Sequence, residues 1–173
     1  GSYDALRYCA ANNTLYYGNA ATGGLYTVNQ TTGALTLISS SLASGTAKFV
    51  IDPFGVYAYY LDNGNSVNRI KLSTGVSSSF ATGLASNNNS DLAFGPSSSG
   101  SGLSLYIGGF NRIYEVAMTA SFDNGSSQNL TVCKNSSSNS LNALLAATNS
   151  IGGTFTWTVT SGPSNGTLSG FPA

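Results

Sequence analysis

The chain has 173 residues, of which 7% are charged, with six Lys+Arg balancing six Asp+Glu and no His. An average soluble domain carries about 25% charged residues, so this surface is polar without a charge field for nucleic acid or an anionic membrane. The lack of His removes Ser–His and Cys–His nucleophile pairs and His-ligated metals together.

Ser, Thr and Asn supply about a third of the chain, Gly adds 21 residues, and aromatics make up 11%, enough to build a core. No run approaches about 18 consecutive apolar residues, so no transmembrane segment is expected. Gly1-Ser2-Tyr3-Asp4 has no basic stretch followed by an apolar one. The low charge and the Ser/Thr/Asn/Gly content point to an extracellular location, with a leader either removed or lying before Gly1. Cys9 and Cys133 lie far apart and outside any CxxC spacing. They read either as two buried small apolar side chains or as a long-range disulfide of an oxidising compartment.

Short β-rich runs alternate with Gly/Asn/Ser/Asp clusters along the chain, which predicts an all-β fold. Strands are predicted over Thr14–Gly18, Leu25–Asn29, Ala34–Ile38, Val56–Leu61, Val67–Leu72 and Ser78–Ala81. Further strands are predicted over Ser104–Gly108, Arg112–Ala117, Leu130–Lys134, Thr154–Thr160 and Gly166–Ser169. Ser140–Thr148 reads as two helical turns or as a loop laying its leucines on a sheet. Turn residues fall between the runs at Thr32-Gly33, Asp62-Asn63-Gly64, Thr74-Gly75, Asp123-Asn124-Gly125 and Asn165-Gly166.

The first two thirds repeat. Tyr26-Thr27-Val28, Ile70-Lys71-Leu72 and Tyr114-Glu115-Val116 begin about 44 residues apart, the length of one four-stranded propeller blade. Each follows a strand and turn, at Leu15–Gly18, Tyr59–Asp62 and Leu105–Gly108. Such a unit cannot bury its apolar faces alone, so neighbours must stack on it. Past about residue 125 the pattern stops. In Thr154–Thr160, Phe155, Trp157 and Val159 share one strand face, which suits part of a β-sandwich. The expected division is therefore residues 1–125, about three propeller-like blades, and residues 126–173, a partial immunoglobulin-like or cadherin-like segment.

These residues resemble a known pattern. Asp4-Ala5-Leu6, Asn13–Gly18, Gly24–Val28, Asp91–Pro96 and Leu105–Phe110 look like blades of secreted bacterial repeat propellers. Val132–Asn135, Leu141–Leu145, Thr156–Val159 and Gly162–Phe171 are similar to immunoglobulin/cadherin-like repeats of surface proteins and adhesins of Bacteroidetes-type bacteria. Three blades fall short of the four to eight that close a propeller. The resemblance thus implies either a fragment of a larger surface protein or a subunit completed by other copies.

Catalytic chemistry finds little to stand on. Gly162-Pro163-Ser164-Asn165-Gly166 matches the nucleophile-elbow spacing, but that elbow needs a His and a following helix. No cofactor is implied. Calcium is the one ion that suits the inventory, because Asp62, Asn63 and Asn65 offer alternating oxygens on a Gly turn. Asp52 and Asp91 open loops whose turns they are expected to fix by Asx bonds. Tyr57 and Tyr59 share one strand face, with Tyr60 on the other, and are candidates to stack on a glycan ring. The reading is a non-enzymatic extracellular surface or adhesion protein, or a filament subunit assembling by strand complementation. Its partners are further copies or other surface proteins. The alternative is a ligand-binding propeller module with glycan or calcium sites.

Overall fold

The computed structural model describes residues 4–43, 48–62, 66–84, 90–100, 102–109, 111–118, 120–122, 130–131, 137, 139–141, 145, 147–149 and 157–169. Among them there is no helix. Eleven strands form three consecutive antiparallel meanders. The first sheet holds β1 (Ala5–Cys9), β2 (Thr14–Asn19), β3 (Gly24–Val28) and β4 (Leu35–Ser39), in that order. The second holds β5 (Phe49–Ile51), β6 (Tyr57–Leu61), β7 (Val67–Lys71) and β8 (Ser77–Ala81). The third holds β9 (Leu92–Pro96), β10 (Leu103–Gly108) and β11 (Ile113–Met118).

The predicted strands of residues 14–117 all appear within a residue or two. The structure adds the first strand of each sheet, β1, β5 and β9. These three carry the stacking, since β1 packs on β5, and β9 on both β5 and β6. Between the first two sheets Arg7 Nε donates to the Phe49 carbonyl at 2.9 Å. In both four-stranded sheets the pairing of the third and fourth strands slips once, at Leu25/Tyr26 and at Val67/Asn68. A bulge at the same point of the repeat adds local twist to the outer strand.

The Ser/Thr/Asn/Gly content resolves into one recurring loop. In Asn19–Gly23, Asn29–Gly33 and Lys71–Gly75 the last residue's N–H bonds the first residue's carbonyl, at 2.9, 2.8 and 2.8 Å. Asn19 Oδ1 accepts from the N–H groups of Ala21 and Thr22, and Asn29 Oδ1 from those of Thr31 and Thr32. Thr22, Thr32 and Thr74 hydroxyls each accept the N–H two residues on. These loops satisfy their backbone locally without charge. Their closing glycines have positive φ, and at Gly75 (φ 71°) a Cβ would come within 2.1 Å of the Ile38 carbonyl oxygen.

Two apolar clusters lie between the sheets. Cys9, Tyr16, Leu25, Phe49, Ala58, Tyr60 and Ile70 join the first sheet to the second. Tyr59, Leu61, Val67, Leu92, Leu105, Ile107 and Met118 join the second to the third. The alternation in β6 is therefore buried on both sides, with Tyr60 facing the first sheet and Tyr59 the third.

The chain divides into two compact units, Gly1–Thr119 with 150–152, and Ala120–Asn149 with 153–173. Within the second, β12 (Ala120–Phe122) pairs with β13 (Ala147–Asn149). In the segment weighed as two helical turns or a loop, Leu145 N–H bonds the Leu141 carbonyl at 3.0 Å and Ala147–Asn149 forms β13, while residues 142–144 and 146 lie outside the described residues. The strands expected through Trp157–Thr160 and Gly166–Ser169 differ from the structure, where the described residues 157–169 join no sheet. Their apolar residues are sparse, and Val159 and Leu168 are exposed. Residues 154–156 and 132–134 lie outside the described residues.

Candidate functional site

The glycan candidates are corrected first. Tyr59 is fully buried, with its ring 4.9 Å from that of Phe80 and 5.5 Å from that of Phe94. No face is open to a sugar, and burial pushes its hydroxyl pKa up to about 12. Tyr57 is half-buried, and the Arg69 guanidinium sits 4.6 Å from its ring centroid. That cation–π contact occupies the face a ligand would use.

Of the calcium candidates, Asn63 and Asn65 lie outside the described residues. Asp62 is engaged within its own hairpin, accepting from Ser66 N–H at 3.2 Å and Asn68 Nδ2 at 3.3 Å. Among the described residues no three His, Cys, Asp or Glu side chains gather at one point. Cys9 is a buried free thiol, and Cys133 lies outside the described residues.

Asp52 fixes its turn as expected. Its carboxylate accepts from Phe54 N–H at 2.8 Å, Val56 N–H at 3.1 Å and Tyr57 N–H. Burial still raises its pKa against those bonds. Asp91 differs, since its side chain accepts from the adjacent Leu92 N–H, while its carbonyl takes Gly108 N–H at 2.9 Å.

What the structure brings together lies on one sheet face. Let the rear face of a sheet look toward the preceding sheet and the forward face toward the next. Cross-strand partners share a face, so the register places two rows on the rear face of the first sheet. One is Leu6–Tyr17–Tyr26–Leu37 and the other Tyr8–Leu15–Val28–Leu35, each crossing all four strands. Leu6 is 57% exposed, Tyr8 58% and Leu37 56%, so the rows are open to solvent rather than covered. Neither row contains a charged side chain. At the margin the Asp4 carboxylate takes Ala20 N–H at 2.9 Å and the Tyr17 hydroxyl at 2.7 Å, lowering its own pKa and raising that of Tyr17.

The forward face of the third sheet has three strands, with Ser104 on it fully buried. Its rows are Ala93–Tyr106–Glu115 and Gly95–Ser104–Ala117, with Gly108 opposite Ile113. Glu115 is tied down by the hydroxyls of Ser98, Ser104 and Ser97 and by Ser98 N–H. Those donors hold its carboxyl at about 2, well below its ordinary value.

Sequence reading missed these faces because it placed the repeat without its first strands. The signal was present: Leu6/Tyr8, Leu15/Tyr17, Tyr26/Val28 and Leu35/Leu37 are four period-2 apolar pairs in successive strands. No protein-family model matches the chain, and no curated protein matches it.

Proposed function

We propose that this chain is a non-enzymatic extracellular surface or adhesion protein, or a subunit of a surface assembly. In this reading its three meanders act as propeller-like blades that stack on further sheets. The observation that carries it is the uncharged rear face of the first sheet. Monomeric proteins seldom leave a contiguous apolar sheet face of this kind open unless it meets a partner. The reading favours contact between faces over strand complementation, because the exposed apolar rows lie on a sheet face and not along a strand edge. The second unit is read as an immunoglobulin-like segment of the same surface protein. The glycan-binding alternative loses Tyr59, its best aromatic.

Localisation tests this reading. Antibody raised against residues 1–119 is expected to label intact, unpermeabilised cells of the source organism. Deletion of the gene is expected to reduce cell–cell or cell–surface attachment. Labelling only after permeabilisation would overturn the reading.

A further inference from the structure

We infer that Arg69 and Lys71, with Ser78 beside them, form a binding site for the carboxylate of an acidic sugar. All three residues belong to the second sheet, so the inference goes beyond the assembly reading above and does not depend on it.

The first argument is the repeat. Thr27-Val28-Asn29 runs out of the third strand of the first sheet, and Arg69-Ile70-Lys71 stands at the same place in the second. The register fixes the match, since Thr27 lies opposite Tyr16 and Arg69 opposite Tyr59. Asn29 caps its loop, with Oδ1 accepting from the N–H groups of Thr31 and Thr32. Lys71 opens the matching loop without an oxygen to offer, and that loop closes on backbone bonds and the Thr74 hydroxyl. A fold that accepts Thr and Asn at these two places does not require two cations there. In the third sheet the Arg69 position holds Glu115, whose charge is met by serine donors.

The second argument is the unanswered charge of Arg69. The side chain is half-buried, with its guanidinium 4.6 Å from the Tyr57 ring centroid and 5.6 Å from that of Phe80. Its Nε is sealed from water and has no hydrogen-bond partner among the described residues. Its polar neighbour is the Tyr59 hydroxyl, whose pKa the guanidinium pulls down against the effect of burial. A guanidinium carries five N–H donors. The carboxylates of the described residues are engaged elsewhere, Asp4 by Tyr17, Asp52 by Phe54, Asp62 by Ser66, Asp91 by Leu92 and Glu115 by its serines. Half-buried charge is costly unless it is paired, so donors left over beside an aromatic cover point to an anion from outside. Lys71 lies two residues on and on the same face, exposed, and its ammonium bonds nothing among the described residues.

The third argument is the chemistry of the ligand. The planar fork of Arg matches the two oxygens of a carboxylate. Alternate residues of one strand face are about 7 Å apart, so the two cations can share one anionic group. Six cations balanced by six acids leave no wider field for a phosphate polymer. Ser78 lies directly across from Arg69, exposed, and its hydroxyl also bonds nothing among the described residues. A carboxylate with hydroxyls beside it is the chemistry of a hexuronic acid. The rings of Tyr57 and Tyr59 are engaged with each other and with Arg69, so charge and hydroxyl groups hold this sugar without ring stacking.

The test is isothermal titration calorimetry on the full chain with trigalacturonate, uncharged galactotriose and acetate. Trigalacturonate is expected to bind, more weakly as salt is added, and the other two at least about 10-fold more weakly. Arg69→Met keeps an apolar stem against Tyr57 and Phe80 while removing the fork, and should weaken trigalacturonate by at least about 10-fold. Lys71→Glu, at an exposed position, sets a rival carboxylate beside Arg69 and should weaken it by a similar factor. Circular dichroism checks that both variants keep their β-sheet, and Lys71→Glu decides the matter if Arg69→Met does not fold. An unaltered chain that ignores trigalacturonate would overturn the inference. Galactotriose or acetate binding as tightly as trigalacturonate, a glutamate-rich peptide binding more tightly, or full affinity in a folded variant would overturn it as well.

Discussion

The rear faces of the first and second sheets hold the same place in the repeat and meet opposite fates. On the second sheet, Phe49, Ala58, Tyr60 and Ile70 are sealed against the first. On the first, Leu6, Tyr8, Leu35 and Leu37 stand in water. Apolar content does not separate them; the presence of a preceding sheet does. A stacked repeat draws its stability from its neighbours, so its end faces keep the composition of a core without the cover of one.

Substitutions at matched positions sharpen that contrast. The largest effect is expected at Tyr59, whose ring lies between Phe80 and Phe94. Tyr59→Ala should lower unfolding free energy by about 3–5 kcal/mol, as aromatic-to-Ala changes in a packed core do. Tyr8→Ala, on the open face, should change it by less than about 0.5 kcal/mol in dilute protein. Urea unfolding of both variants measures the difference, and equal losses would break the contrast.

Asp52 comes next. Removing its carboxylate in Asp52→Ala strips the acceptor from three backbone N–H groups, those of Phe54, Val56 and Tyr57. These part-buried bonds lost together should cost about 1–3 kcal/mol in the same assay. Two turn glycines then separate backbone strain from packing. Gly33 has φ 73° with nothing near its missing Cβ, so Gly33→Ala should cost about 1 kcal/mol. Gly75 has φ 71° and also faces the Ile38 carbonyl of the neighbouring sheet, so Gly75→Ala should cost clearly more.

The smallest effect belongs to Glu115 on the forward face of the third sheet. Its folded pKa of about 2 lies below the ordinary 4.5. The stabilisation from its serine bonds is therefore complete above about pH 4.5 and fades as pH falls toward 2. Glu115→Gln should flatten that part of the acid limb in pH-dependent thermal unfolding, and its thermal midpoint should lie slightly below that of the unaltered chain at pH 7.

Much of this fold is legible in the sequence, because period-2 patterns and Thr-Gly turns are local signals. The middle and outer strands of every sheet follow from them. The first strands do not. β1 carries Arg7 in its middle, β5 has three residues, and β9 ends in Gly95-Pro96. Each is made a strand by the sheet beside it rather than by its own propensity. The same limit governs the site. Tyr57 and Tyr59 share a face, as alternation implies, but only the third sheet's arrival at Phe94 buries Tyr59. Likewise nothing in Leu6, Tyr8 or Leu37 themselves marks them as uncovered. In the second unit a Thr-rich run with alternating aromatics reads as a strand, yet its described residues 157–160 join no sheet. Alternation reports what could pair; a neighbouring strand has to complete it.

Hydroxyl-radical footprinting of the dilute chain, read residue by residue by mass spectrometry, tests the open-ended stack most directly. Tyr8, Leu6 and Leu37 should be oxidised readily, while Tyr16, Tyr59 and Tyr60 are protected until the chain unfolds. Protection of Tyr8 equal to that of Tyr59 in dilute monomer, or rapid oxidation of Tyr59 in the folded chain, would contradict the account.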